Sequence, residues 1–421
     1  MKTSRRLAAI AVAVALSGLA SSAVAGGFGI GTQSGSGTGN AFAGGAAVAD
    51  DSSVAWSNPA GMAFLPRGKQ ITGALHALKP SFEFRNQGST GVFAAPGTGE
   101  GGDGGGWAFV PNGFFTMDIN PKWNFGVALN APFGLKTEYD TGWRGGLTGI
   151  KSEIKTINVN PAIAYKATDT VSLGAGISIQ KIDATLTGCA NAACTNITNL
   201  SADDVSYGFN LGLMIQASPS TRIGASYRSS ISYDLDGSVS FSATPAGNGS
   251  VRADLKVPDS VSVSVVHALN PKWELMGDIT WTGWSSVQRL VVIRTSGAAA
   301  GATLTTLPFN WNDTWRFGVG ANYKWSDQTK LRFGLARDET PTNDIDRTPR
   351  LPDQDRTWLA FGMQQRLSKA GVLELSYAHE FIKDARVNNN VPGFANCAAG
   401  CLTGSFENKA DIFSIQYSHS F

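Results

Sequence analysis

Four histidines, His76, His267, His379 and His419, are the chain's whole stock of imidazole for acid–base or metal chemistry. None stands near a serine nucleophile on a Gly-x-Ser-x-Gly elbow, a motif the chain lacks. Gly35-Ser36-Gly37-Thr38-Gly39 has the outline of a phosphate loop but neither a strand before it nor a lysine at the right distance after it, so it reads as a flexible glycine-rich segment. Asp50 and Asp51 are adjacent carboxylates, and neighbouring loop residues point apart, which suits solvation or anchoring better than shared proton transfer. The cysteines form two local pairs, Cys189 with Cys194 and Cys397 with Cys401, each in a Gly/Ala/Asn-rich stretch. In an oxidising compartment such pairs favour short loop-closing disulfides. A metal site is the alternative, but no histidine is near and the spacings are not those of zinc knuckles, so no metal or other cofactor is expected.

The elements that carry these residues are strands. Val171, Leu173, Ala175, Ile177 and Ile179 interleave with Ser172, Gly174, Gly176, Ser178 and Gln180, a period of two with one apolar and one small polar face. Leu373 to Phe381 and Phe413 to Phe421 repeat the pattern. A soluble sandwich also alternates, so the connections decide. Short turns at Asn120-Pro121-Lys122, Thr168-Asp169-Thr170, Ser218-Pro219-Ser220, Asn270-Pro271-Lys272, Ser326-Asp327-Gln328 and Ser368-Lys369-Ala370 alternate with long stretches at 86–106, 140–149, 188–202, 243–250, 295–308, 339–350 and 388–404. That alternation is the outer-membrane pattern of short periplasmic turns and long outer loops. Counting hairpins gives an all-β chain: a fourteen-stranded antiparallel transmembrane β-barrel. Trp123, Trp273 and Trp325 each sit beside a short turn, where an indole belongs at the headgroup level.

Composition agrees. Fifty glycines and only 16% charged residues fit neither a disordered chain nor a helical enzyme. Lys2, Arg5 and Arg6 precede an apolar run from Leu7 to Leu19, and Ala23-Val24-Ala25 offers small residues at a cleavage position, so residues 1–25 read as a secretory signal. A membrane anchor is the alternative, but the run is shorter than the roughly 20 residues a spanning helix needs. Without those three cations the count is 34 − 3 = 31 basic against 32 acidic residues, which gives nucleic acid no electrostatic footing. Residues 26–66 hold ten glycines and two charges, Asp50 and Asp51. They suit a kinked packing inside something larger. The expected layout is thus a signal at 1–25, an N-terminal hatch at 26–67 lying in the lumen, and the barrel at 68–421.

Several stretches, in order along the chain, resemble the FadL-type long-chain fatty-acid transporters: Gly27-Phe28, Ala49-Asp50-Asp51, Asn58-Pro59-Ala60, Ala131-Pro132-Phe133-Gly134-Leu135 with Thr137-Glu138-Tyr139, Tyr227-Arg228-Ser229, Trp281-Thr282 with Trp284-Ser285, and Pro352-Asp353-Gln354-Asp355-Arg356 with Trp358. The resemblance implies a monomeric barrel, closed by its hatch, that moves hydrophobic molecules without an energy source. It also implies a kinked third strand that opens sideways to the lipid, with the kink at Gly134 and Asn58, Pro59 and Ala60 on the other side of the gate. The residues give independent support: Pro132 cannot donate a ladder bond and Gly134 tolerates a bend. An ordinary bulge would explain the same two residues.

A fatty acid needs an apolar slot and a cation or hydrogen-bond donors for its carboxylate. Alternation places Arg228 inward on a strand from Thr221 to Asp236, and Arg316 and Arg332 inward on later strands. Two readings stand for them: contact with a head group, or pairing with lumen acids such as Asp234, Asp338 or Glu374. By the resemblance, Phe28 reaches towards the ligand. The stretch after Gln180 and that before Trp315, where the resemblance implies basic head-group contacts, carry Asp183-Ala184-Thr185 and Asn312-Asp313, so a neutral hydrophobe stays open as cargo. The expectation is passive uptake of long-chain fatty acids or similar molecules across the outer membrane, and no enzyme; an aromatic-hydrocarbon channel or a general porin is the alternative.

Overall fold

The computed structural model describes residues 26–95, 98–390 and 396–421; the expected signal at 1–25 lies outside them. Fourteen strands run in chain order: β1 (Lys69–Asn86), β2 (Ala108–Asp118), β3 (Trp123–Asn130 and Gly134–Glu138), β4 (Lys151–Lys166), β5 (Val171–Cys189), β6 (Ile197–Ser218), β7 (Thr221–Arg228 and Ile231–Phe241), β8 (Gly249–Val257 and Ser260–Ala268), β9 (Trp273–Thr282 and Arg289–Arg294), β10 (Thr303–Pro308 and Thr314–Lys324), β11 (Thr329–Asp338), β12 (Arg356–Arg366), β13 (Gly371–Ile382 and Ala385–Asn390) and β14 (Cys401–Ser420). Each pairs antiparallel with its neighbours, and β14 pairs with β1 from Gln70↔Ser420 to Asn86↔Gly404, which closes the barrel. Closure leaves no edge to lipid, the condition for a sheet to span a bilayer.

Side chains alternate as the pleat requires, but the chemistry of the two faces changes along each long strand. On β6, Val205, Tyr207, Phe209 and Leu211 face out and are exposed while Asn210 and Met214 are buried inward. Above that level the pattern inverts: Asn199, Ser201 and Asp203 face out, and Leu200 and Ala202 are buried within. The lower part is therefore membrane barrel with a polar lumen. The upper part stands in water around an apolar interior that includes Ile182, Tyr233, Leu235, Leu255 and Val257. This explains why several outer loops are shorter than expected. β5 runs on to Cys189 and β6 begins at Ile197, so most of 188–202 is strand whose polar outward face reads as loop.

The same level corrects the strand from Thr221 to Asp236. Ser229 and Ser230 interrupt it, and the faces exchange there: Arg228 points inward below, whereas Ile231, Tyr233 and Leu235 are buried above and Asp234 is exposed. Asp234 is thus not a lumen acid. One inserted residue moves every later side chain to the opposite face.

Residues 26–66 pack against inward-facing side chains all round the wall. They form short helices α1 (Gly35–Gly39) and α2 (Val54–Ser57) and a 3-10 turn (Pro59–Phe64). Their backbone is bound to distant strands: Gly35 N–H donates to Gln416 Oε1 at 2.8 Å and Ala46 N–H to Ser264 Oγ at 3.1 Å. At the extracellular end, Cys189 is disulfide-bonded to Cys194 and Cys397 to Cys401, with Cα separations of 4.7 and 5.0 Å. The outer stretch 341–355 folds inward and is pinned by Arg350, whose Nη1 donates to the Lys151 carbonyl and to Ser152 Oγ. Burial pushes the Arg350 guanidinium down to about 10, still cationic at neutral pH.

Candidate functional site

The β2–β3 ladder runs from Asp118↔Asn124 up to Gly113↔Leu129 and stops. Above it Ala131, Pro132 and Phe133 leave the strand, and Gly134–Glu138 pairs only with β4. Pro132 removes a donor where a ladder bond is due, so the wall has a break between β2 residues 108–112 and β3. The N-terminal segment fills it. Gly134 N–H donates to the Phe28 carbonyl and Ile30 N–H to the Pro132 carbonyl, both at 2.8 Å, with Gly29 bridging Phe133. Residues 28–30 act as a short surrogate strand.

Side chains fix this seating from both flanks. Asn112 Nδ2 on β2 donates to the Thr32 and Gln33 carbonyls at 3.1 and 3.0 Å. Asn130 Nδ2 on β3 donates to Gln33 Oε1 at 2.6 Å, and Gln33 Nε2 donates to the Ile30 and Ala131 carbonyls at 2.7 and 3.1 Å. Farther along, Asp353 Oδ2 accepts from Gly27 N–H at 2.8 Å and from Thr340 Oγ1 at 2.7 Å. Phe28 itself is 3% exposed, its ring centroid 5.0 Å from Trp284, 5.6 Å from Trp311 and 5.8 Å from Phe133. Of this set the sequence points to Phe28 and the two wall residues Pro132 and Gly134 as site residues. Asn112 and Asn130 carry no local signal, and Asp353 is flagged only as part of a recognisable stretch.

Asn58, Pro59 and Ala60 lie elsewhere. Asn58 caps the 3-10 turn by accepting from Ala60 N–H at 3.1 Å, with Pro59 at its first position. Asn58 Nδ2 donates to the Ala46 and Leu213 carbonyls, and Ser172 Oγ donates to the Ala60 carbonyl at 2.8 Å. The turn sits so close to β5 and β6 that side chains at Gly174 and Gly212 would collide with it. Gly134 pairs with Lys155 and Lys155 with Asp183, so this dock is nine residues down β5 from the break (183 − 174), about 30 Å along the strand. The structure does not bring the triplet to the break; its geometry anchors the segment.

The three inward arginines part company. Arg332, 1% exposed, is bidentate to Glu374 at 2.8 and 3.1 Å and also holds Asp50 at 3.0 Å, where Lys330 joins at 3.1 Å. It is a strut between wall and N-terminal segment. Lys330 foremost, with burial opposing and Arg332 adding to it, holds the Asp50 carboxyl well below the usual carboxylate range. Arg316 pairs with Asp278 at 3.1 Å and donates to the Ala41 carbonyl. Arg228 lies 3.2 Å from the Trp56 ring centroid and donates to the Trp56 carbonyl at 2.7 Å; its Nη1 has no partner, and no carboxylate among the described residues is within ion-pair distance of it. Arg228 and Arg316 both face a cavity of about 300 Å³ above α2 that is bounded also by Pro132, Phe133, Trp284 and Trp358.

A break sealed by the chain's own N-terminus, beside a lumenal cavity in a closed fourteen-stranded wall, invites comparison with known barrels. Residues 16–421 match the family model described as outer membrane protein transport protein (OMPP1/FadL/TodX). The chain belongs to the FadL/TodX family of outer-membrane transport proteins. It is 26% identical to the long-chain fatty acid transport protein of Escherichia coli O6:H1, over all of this chain and 99% of that one, and 28% identical to outer membrane protein P1 of Haemophilus influenzae, over 87% and 88%. A crystal structure of a Pseudomonas aeruginosa FadL homologue superposes with a TM-score of 0.85 at 26% identity, covering 94% of this chain and all of that one. The Ralstonia pickettii toluene transporter TbuX shares the fold, with a TM-score of 0.67 at 19% identity over 91% and 98%. The protein is accordingly an outer-membrane barrel, and the FadL/TodX family is one of transport channels.

Proposed function

We propose that the protein is a passive channel for long-chain fatty acids and similar hydrophobic molecules. The cargo binds in the cavity above α2 with its carboxylate at Arg228, and leaves sideways through the β3 break when residues 28–30 unzip from residues 132–134; residues 26–66 serve as a hatch. The observation that carries the proposal is that main-chain bonds from Phe28 and Ile30 replace the missing ladder at the one point where the cavity abuts Pro132 and Phe133. Three residues of surrogate strand are a small barrier. Occupancy shifts them only by the ligand's differential affinity for the two arrangements, so no energy source enters.

Of the three arginines Arg228 alone borders the cavity without a carboxylate partner, which favours it over Arg316 and Arg332 for a head group. The aromatic cluster of Phe28, Phe133, Trp284 and Trp311, of which Phe133 and Trp284 line the cavity, supports a second cargo, a neutral aromatic hydrocarbon, which would not need Arg228. A disulfide between Gly29→Cys and Phe133→Cys tests the exit. Uptake of labelled oleate by cells should fall with the bond formed and return on reduction; unimpaired uptake in the oxidised variant removes the exit at this break.

A further inference from the structure

The wall has a second place where the ladder is missing. β6 pairs with β7 up to Asn210↔Arg228 and again from Asp203↔Asp236. Between those pairs six residues of β6, 204–209, face seven of β7, 229–235, with no ladder pair. Where β8 and β9 part at the same height, the inserted turn Trp284–Ser286 occupies the space. Between β6 and β7 nothing is inserted except the one extra residue.

The interval straddles the lipid–water boundary: on β6 Val205, Tyr207 and Phe209 face out and are exposed, Tyr207 at 66%, whereas on β7 the outward residues are Ser232 and Asp234. Backbone groups at that depth must find partners inside the protein. Side chains bridge the two strands instead. Phe209 N–H donates to Ser229 Oγ at 2.9 Å, Ser206 Oγ to the Ser232 carbonyl at 2.6 Å, and Asp234 N–H to Asp204 Oδ2 at 2.9 Å; Ser229 N–H also donates to the Phe209 carbonyl at 2.9 Å. At its upper end Asp203 stands directly opposite Asp236, with Lys181 3.7 Å from Asp203 and Arg252 opposite Asp236 on β8. On the lumen side Gly208 offers no side chain, and Ile231 and Ser229 lean over it. Just below, a second cavity of about 160 Å³ is lined by Asn210, Ser226, Arg228, Ser260, Trp56 and Ser57.

We infer that this seam is a second lateral opening, through which the alkyl tail of a long-chain carboxylate held at Arg228 enters the outer leaflet. It rests on the channel reading above and adds a route to it. The head group stays with the guanidinium while the tail slides between β6 and β7, because the seam can part by exchanging side-chain bonds without unzipping a main-chain ladder. The chemistry favours an amphiphile: the lower cavity is polar and cationic, and the wall beside it is apolar outside.

The test uses the full chain in intact cells with labelled oleate. A side chain at Gly208 would come within 2.8 Å of Ile231 Cγ1, so Gly208→Cys with Ile231→Cys locks the seam, and Gly29→Cys with Phe133→Cys locks the first break. Bond formation is read by mass before each assay, and reductant on the unmodified protein controls for the native disulfides. With the first break locked, residual uptake is expected; locking the seam as well should abolish it, and reductant should restore it. Complete loss of uptake with the first lock alone overturns the seam, as does residual uptake that the second lock leaves unchanged. Uptake unaffected by either lock or by both sinks the lateral channel reading itself, a distinguishable failure.

Discussion

Replacing Arg228 by Met keeps a stem of similar reach and removes the charge. A hydrogen bond to a charged group contributes about 1.5–3 kcal/mol, more than a neutral one. At 1.4 kcal/mol per decade the variant should bind a fatty acid about ten- to a hundred-and-fifty-fold more weakly. A second effect has to be separated from this one. The guanidinium also covers the Trp56 ring at 3.2 Å, a contact of up to roughly 2 kcal/mol when desolvated, so its loss loosens α2 and weakens binding of any cargo. Measuring a fatty acid and the fatty alcohol of equal chain length in parallel, by calorimetry on purified protein, divides the two. Loosening of α2 lowers both affinities alike, whereas the carboxylate contact appears only in their ratio. Arg228→Lys, which keeps charge but loses the planar stack, should retain most of the ratio. A ratio unchanged in Arg228→Met refutes the assignment of the head group to this residue and leaves the neutral-hydrocarbon cargo as the better reading.

Arg332→Gln strands Glu374, 2% exposed at its side chain, and should destabilise the seated N-terminal segment by about 3–5 kcal/mol, read as protease access near residue 50. Asp50 has a depressed folded-state pKa, so its contribution is complete above the ordinary aspartate value of about 3.9 and is lost only as pH falls further, towards the folded value. Segment access should therefore stay flat from neutral pH to that point and rise below it, and Asp50→Asn should erase the step. Serine at both Cys189 and Cys194 opens a loop of sequence separation 5, worth about 2 kcal/mol of local stability; hydrogen exchange at 189–196 should quicken while oleate uptake stays constant.

Much of this was legible in the sequence because barrel strands obey a strict period and short turns use Pro, Asp and Ser. Fourteen strands, the tryptophan row and the Pro132–Gly134 weakness all follow from local rules. What stayed hidden is set by contacts between residues far apart in the chain. Nothing in Asn58-Pro59-Ala60 says that it docks on Gly174 and Gly212, and nothing in Phe28 to Ile30, a glycine-flanked stretch, announces a strand that pairs with residue 132. Simple alternation puts Asp234 in the lumen because nothing local marks the interruption at Ser229 and Ser230, which only the partner strands reveal. The arginines show the same limit. Period gave their direction, but whether each had a carboxylate waiting depended on Asp50, Asp278 and Glu374, which come from other parts of the chain.

The inversion of polarity along the long strands works as a waterline. If the barrel sank by two residues, Asp203 and Asp236 would be drawn into hydrocarbon; if it rose, Tyr207 and Phe209 would be lifted into water. Charged groups on the lipid face cost little near the interface and, for Arg and Lys, up to about 2–4 kcal/mol at mid-depth, so the outward charges of Lys181, Asp203, Asp236 and Arg252 act as a float. The draught of the hull is thereby set by the strands themselves, and with it the height at which any opening in the side meets the acyl chains of the outer leaflet.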